Sequence, residues 1–256
     1  MGVQLFAKRT LATGRSVVYR KRMGKRGVGV GSPHLWYRDL SVRNGGACRC
    51  RRMELDQITF QGPAIDDPEV LGRVPEALRN LIVQVNGFIQ FGGGFHIRGA
   101  CREPLWHSLS YAWAGPTALF RLFPAVKDTD VPFAQDGLGD QYFLRDGRVL
   151  RLQAETGEIS ELPHSLLSLL EAIQREPVET LQLQPLLAFW EDGGELEPGQ
   201  LLSVYPPFCT KESAAGVSYR AIPAAERIGF LADLAAQLAN HSGGAKVGFM
   251  VMEDAI

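Results

Sequence analysis

Cysteine is scarce in this chain, and its spacing suits neither a disulfide framework nor a metal site. The 256 residues include four cysteines, of which only Cys48 and Cys50 lie close together. Because no second pair completes a zinc ligand set, we expect reduced thiols in a cytoplasmic protein. No run of about 18 apolar residues occurs, which excludes a membrane-spanning helix. The first residues lack the apolar core and the cleavage site of a secretory signal.

The signatures of common enzyme and cofactor sites are missing too. The five histidines do not show a metal-ligand spacing such as His-Glu-x-x-His, and no Gly-x-Ser-x-Gly segment is present. The glycines at 92–94 are not followed by the Gly-Lys-Ser/Thr of a phosphate-binding loop. The segment 136–140 begins like a calcium loop but lacks the glycine and the glutamate that an EF-hand needs at its sixth and twelfth positions. We therefore predict no cofactor, no metal and no catalytic residues.

Charge of both signs is present, but it is divided unevenly along the chain. Residues 1–52 contain thirteen Lys or Arg and a single acid, Asp39, out of totals of 27 and 28, which leaves 14 basic and 27 acidic residues in 53–256. The basic segment has few periodic hydrophobic residues, so it cannot bury enough apolar surface to offset its ordering entropy. We predict a disordered extension at 1–52. Three origins stay open: binding of nucleic acid or anionic lipid, a targeting presequence, or upstream codons of a protein whose true start is Met53.

From Met53 onward the sequence alternates helical and strand patterns. A helix is predicted from Pro75 to Asn86–Gly87, and another after Ser165, because apolar residues recur there at helical spacing. Short apolar runs predict strands at 119–123 and 131–134. Phe95 and Ile97 alternate with His96 and Arg98, which is typical of a half-buried strand.

An acidic, turn-rich segment at 191–199 predicts a subdomain boundary. We therefore divide the folded part into a domain at 53–192 and a C-terminal β-β-α-β extension at 193–256. The extension has predicted strands at 201–205, 217–222 and 246–252, with a helix before the last. The predicted fold class is α+β, an antiparallel, hairpin-rich sheet with helices packed mainly on one side.

The segment 133–152 predicts a loop that leads into a hairpin. The loop is built from two aspartates and two glycines: Asp136, Gly137, Gly139 and Asp140. This composition favours a tight loop, whose carboxylates we expect to accept backbone N–H bonds within the loop itself. A strand containing Tyr142 follows. Asp146–Gly147 then suits a two-residue type I′ turn, because both central positions of that turn need φ > 0.

The same segment carries a resemblance to a known family. Its pattern Phe133-Ala-x-Asp-Gly-x-Gly-Asp-x-Tyr-x-Leu, followed by Asp-Gly and a second strand, resembles the central block of the SUKH superfamily. Flanking features agree, since Asn86–Gly87 ends one helix, Trp106 lies between, and Ser165 starts the next helix. The resemblance covers residues 54–190 and implies an α+β fold. Members of this superfamily, the Smi/Knr-like domains, are bacterial immunity proteins and yeast cell-wall regulators.

The resemblance implies a non-enzymatic protein-binding domain, and specifically a bacterial immunity protein that neutralises a toxin by covering its active site. The excess of acids in 53–256 fits a basic partner, such as a toxin domain that acts on nucleic acid, and it equally fits a protein that only needs to stay soluble. We expect these residues to contact neither membrane nor nucleic acid. The candidate partner-binding residues are the acids of the turn-rich segment: Glu191, Asp192, Glu195 and Glu197.

Two other classes of function stay open. One is a housekeeping scaffold or regulatory adaptor, as the yeast members of the superfamily suggest. The other is an enzyme whose site is assembled from scattered residues such as His107, Asp136 and Asp140. A cleft that joins these three side chains and shifts their pKa values would favour the enzyme.

Overall fold

The computed structural model describes residues 4–10, 16–22, 34–38 and 50–239, with side chains from Leu55 to Ala239. Two antiparallel strand pairs lie in or next to the basic segment. They are β1 (Gln4–Thr10) with β2 (Ser16–Arg22), and β3 (His34–Arg38) with β4 (Cys50–Glu54). The sequence did not predict these strands. The rest of 1–52 lies outside the described residues, and the proposed domain division stays a prediction.

Seven consecutive strands form one antiparallel sheet. They are β5 (Ile58–Gln61), β6 (Phe88–Gln90), β7 (Phe95–Ile97), β8 (Val131–Asp136), β9 (Gln141–Arg145), β10 (Arg148–Gln153) and β11 (Glu158–Glu161). Their order in the sheet is their order in the sequence, so each strand pairs with the strands that precede and follow it in the chain. The α+β class predicted from the sequence is confirmed.

The hairpin between β9 and β10 has the predicted turn. Arg145 pairs with Arg148, which leaves Asp146 and Gly147 as a two-residue loop. Both have positive φ, 50° and 79°, as a type I′ turn requires. Asp146 and Gly147 therefore have a structural role at the outer end of this hairpin.

The helices of the described part are α1 (Pro68–Arg73), α2 (Glu76–Gln84), α3 (Leu109–Ala114), α4 (Leu119–Leu122), α5 (Leu166–Arg175), α6 (Pro177–Thr180), α7 (Gln184–Glu191) and α8 (Ala224–Ala239). As predicted, α2 begins after Pro75 and ends before Asn86–Gly87. Ser165 caps α5 by accepting a bond from the Ser168 backbone, while the Ser168 side chain accepts from the Ser165 backbone. Among these helices, none is long and apolar enough to cross a membrane.

Both faces of the sheet are covered, because apolar residues of the central strands alternate between two cores. Leu144 and Val149 join a first core with α1, α2, α5 and α7, whereas Phe143 and Leu150 join a second core with α4 and α8. Helices were expected mainly on one side of the sheet. They cover the first face as expected, but α4 and α8 also cover the second face. The predicted strand at 119–123 is wrong, since these residues form α4.

The C-terminal extension forms its own strand pair before α8. Strand β12 (Gln200–Tyr205) pairs antiparallel with β13 (Ser218–Pro223), close to the predicted bounds. The Leu202 backbone N–H donates to the Gly137 carbonyl over 2.7 Å, which attaches the pair to the loop between β8 and β9. The predicted strand at 246–252 lies outside the described residues.

Candidate functional site

Asp136 organises the loop between β8 and β9 from inside. Its Oδ1 accepts hydrogen bonds from the backbone N–H groups of Leu138, Gly139 and Asp140 at 3.0–3.1 Å. The predicted bonding of a carboxylate within its own loop is confirmed here. Asp140 differs, because its Oδ1 accepts from the Ala154 backbone instead.

Arg151 joins the two aspartates into one buried cluster. Its Nη2 lies 2.8 Å from Asp140 Oδ2 and 3.4 Å from Asp136 Oδ2. Burial and the neighbouring Asp140 raise the pKa of Asp136 to about 7. Burial and Asp136 likewise raise the pKa of Tyr142 well above its ordinary value. Tyr142 and Arg151 also line a cavity of about 320 Å³ that reaches His164.

The second face of the sheet carries a buried polar row that was not predicted. His96, Gln135 and Gln141 lie side by side on β7, β8 and β9. Arg98 follows β7, and its Nη2 donates to the Oε1 atoms of Gln135 and Gln141 at 2.7 Å each. Its Nη1 donates to the carbonyls of β8, at 2.9 Å to Pro132. The alternation at 95–98 predicted a half-buried strand, but both sets of side chains are buried.

His107 extends this polar row from His96, next to Trp106. His96 Nε2 lies 2.8 Å from His107 Nδ1, and His107 Nε2 lies 3.0 Å from the Asn86 carbonyl. Since a carbonyl only accepts, His107 donates from Nε2 to Asn86 and accepts from His96 at Nδ1. Burial lowers the pKa of His107 to about 4 and that of His96 well below its ordinary value. Both rings are therefore neutral near pH 7.

Asn86 and Gly87, predicted as a helix end, also build this region. Asn86 Oδ1 accepts from the Ala100 backbone at 2.7 Å, and its Nδ2 donates to the Pro63 carbonyl at 2.8 Å. A Cβ on Gly87 would lie 2.6 Å from the His107 ring, so a larger residue would displace that ring. Their role is to position His107.

Trp106 separates two cavities on the second face of the sheet. The first, of about 360 Å³, has His96 and Gln135 in its lining together with residues 195–201. The second, of about 350 Å³, is lined largely by apolar side chains and reaches Arg98. Gly199 contributes to both, and a Cβ there would meet the indole of Trp106 at 2.9 Å. This close approach requires glycine.

The four acids predicted as partner-binding residues are all exposed: Glu191, Asp192, Glu195 and Glu197. Glu195 and Glu197 line the first cavity, whereas Glu191 and Asp192 lie at the C-terminal end of α7. Their role in partner binding stays a prediction, and the sequence did not predict the buried residues of this cavity.

Of the three residues considered for a dispersed enzyme site, Asp136 and Asp140 lie together at Arg151, but His107 has other partners. His107 bonds to His96 and Asn86, whereas the bonds of Asp136 and Asp140 run to Arg151 and to nearby backbone. Among the residues with described side chains, no group of three or more His, Cys, Asp or Glu could hold a metal ion.

Comparisons with known proteins do not show a family for this chain. No family model matches the sequence, and no curated protein matches it. A solved structure with a similar chain path is "Crystal structure of Atu4351 from Agrobacterium tumefaciens", which is 15% identical with a TM-score of 0.44. The match covers 68% of this chain and 85% of that one.

Proposed function

We propose that residues 53–256 form a non-enzymatic protein-binding domain of the SUKH type that neutralises a basic toxin by direct binding. The observation that carries this proposal is the placement of Glu195 and Glu197, exposed at the first cavity on the second face. Two further exposed acids, Glu191 and Asp192, precede them in the chain at the end of α7.

The chemistry of this cavity suits a basic side chain. Glu195 and Glu197 are carboxylates at its exposed side, and Gln135 offers a neutral polar group in its lining. His96 is neutral near pH 7 because burial lowers its pKa, so it does not repel a cation. A lysine or arginine of the partner would meet negative charge on entry and polar groups below it.

The buried ionisable groups support binding over catalysis because they are used within the fold. Asp136 holds three backbone N–H groups of its own loop, and Arg151 binds both aspartates. His107 is bonded on both ring nitrogens. The fold itself therefore accounts for the bonds that these groups make.

A charge-reversal comparison tests the proposal. The pair Glu195→Lys and Glu197→Lys changes the net charge as much as the control pair Asp128→Lys and Glu158→Lys. Both control positions are exposed and outside the cavity. Affinity capture with the unaltered protein and both variants should retain a basic protein on the unaltered and control proteins and lose it on the cavity variant.

Binding kinetics and cell growth complete this test. The association rate with the captured partner should fall steeply as salt rises, because opposite charges steer the encounter. Co-expression with the partner should protect cells from it, and the cavity variant should protect less. Equal capture, rate and protection for the two variant pairs would reject this surface as the binding site. Substrate turnover abolished by His107→Ala without loss of folding would reject the non-enzymatic assignment.

A further inference from the structure

The second cavity differs in chemistry from the acidic first cavity. It lies between the sheet, α3, α4 and the start of α8, and its volume is about 350 Å³. Its apolar lining includes Leu105, Tyr111, Leu119, Leu122 and Ile228. Neither aspartate nor glutamate contributes to the lining, although acids outnumber basic residues almost two to one in 53–256.

Arg98 supplies a positive charge at the polar side of this cavity. It is only 2% exposed, and no carboxylate with a described side chain lies within ion-pair distance of it. Its four hydrogen bonds reach the neutral oxygens of Pro132, Ala134, Gln135 and Gln141. Burial lowers the pKa of Arg98 to about 9, which reflects the energetic penalty on this unpaired charge.

The start of α8 adds positive potential to the same cavity. Pro223, Ala224 and Ala225 line it, and α8 runs for 16 residues from Ala224. The N-terminus of a helix carries partial positive charge, which favours an anion nearby. The Ala224 N–H already donates to the Gly199 carbonyl over 2.8 Å, so the contribution of α8 is the positive potential of its first turn and not a bond from this group. The cavity thus combines a buried guanidinium, a helix N-terminus and apolar walls.

We propose that this cavity binds a small amphiphilic anion, with its carboxylate towards Arg98 and the first turn of α8 and its hydrocarbon body along the apolar walls. The volume lies in the range of about 300–1,000 Å³ typical of small-molecule sites. An anion there would compensate the charge of Arg98, and the hydrocarbon body would be removed from water.

Calorimetric titration of the full chain with decanoate and with decanol tests the charge requirement. The two probes share one hydrocarbon chain, and both are used far below their aggregation limits. We expect decanoate to bind at least about tenfold more tightly than decanol. Failure of decanoate to bind, or equal affinities for the two probes, would overturn the proposal.

Filling the cavity tests whether decanoate binds there. Gly229 contributes to the wall, and a Cβ there would meet no atom within 4 Å, so Gly229→Trp adds volume without a backbone clash. Gly72→Trp is the matched control, because Gly72 is also helical and open but lies in α1. We expect decanoate binding to be lost in Gly229→Trp and kept in Gly72→Trp, with both variants folded by circular dichroism. Unchanged binding in Gly229→Trp would overturn the assignment.

Arg98→Gln directly tests whether Arg98 attracts the carboxylate of decanoate. If this variant folds, decanoate should lose its advantage over decanol, and an advantage that persists would contradict the role of Arg98. If it does not fold because Gln135 and Gln141 lose their donor, the result from Gly229→Trp decides the location and the probe pair decides the charge requirement.

Discussion

Asp136 offers a way to separate a hydrogen-bond acceptor from a charge at one buried position. Asp136→Ala removes the oxygen that accepts from Leu138, Gly139 and Asp140, whereas Asp136→Asn keeps an oxygen in that place. If the loop depends on this acceptor, the alanine variant should be much less stable than the asparagine variant.

The expected magnitude follows from the groups left without a partner. The Gly139 N–H also donates to the main-chain oxygen of Asp136, so it keeps one acceptor in either variant. The N–H groups of Leu138 and Asp140 lose theirs, and each unsatisfied group costs about 1–3 kcal/mol. Because both are only partly buried, we expect Asp136→Ala to lose about 2–4 kcal/mol. Measured well below pH 7, where the folded state keeps the Asp136 carboxyl protonated, Asp136→Asn should lose about 1 kcal/mol or less, since Arg151 retains its closer partner Asp140.

Urea unfolding followed by tryptophan fluorescence measures this difference. The two variants should unfold with similar dependence on urea, because they expose similar surface, and at different midpoints. Equal losses of unfolding free energy in the two variants would refute the view that the acceptor holds the loop.

The charge of Asp136 should appear in the pH dependence of stability. Burial raises its pKa to about 7 from an ordinary 3.8, so between these values the folded state binds the proton more tightly than the unfolded state. Its contribution to stability is therefore fully present below pH 3.8 and is lost as the pH rises towards 7. Asp136→Asn should remove this decline. Parallel profiles of unfolding free energy against pH for the unaltered protein and Asp136→Asn would contradict this prediction.

Two further changes test the hairpin and the basic segment. Gly147→Val should lose about 1–2 kcal/mol, because a β-branched residue resists positive φ. A Cβ at Gly147 meets no atom within 4 Å, so the loss is one of backbone conformation, and Gly147→Asn is the tolerated control in thermal melts. Equal melting temperatures for the valine and asparagine variants would contradict this reasoning. A chain beginning at Met53 should unfold at nearly the same urea concentration as the full chain, and a loss of several kcal/mol would show that residues 1–52 pack against the domain.

The features that the sequence predicted correctly depend on neighbouring residues. Asp146–Gly147 determines its turn through local backbone preference. The start of α5 depends on the reciprocal hydrogen bonds between Ser165 and Ser168. The alternation of Phe143 and Leu144 places them on opposite faces wherever the strand lies. Local chemistry is enough in each case.

The polar row could not be predicted in the same way, because three strands supply it. His96, Gln135 and Gln141 become neighbours only when β7, β8 and β9 pair in this register. The sequence showed Arg98 as the polar half of an alternation, which ordinarily faces water. It is buried because α8 and residues 195–201 cover this face from far along the chain.

The loop between β8 and β9 connects the seven-stranded sheet to the C-terminal strand pair and α8. The Gly137 carbonyl accepts from Leu202 at the start of the C-terminal strand pair, and the Leu138 carbonyl accepts from Arg227 of α8 over 3.4 Å. Residues 195–201 line the first cavity, the end of β13 and the first turns of α8 line the second, and Gly199 lies against Trp106 in both. A loop held by Asp136 therefore fixes the cavity walls relative to the sheet. Because the bonds of this loop are made within the fold, its residues shape the cavities without forming their lining.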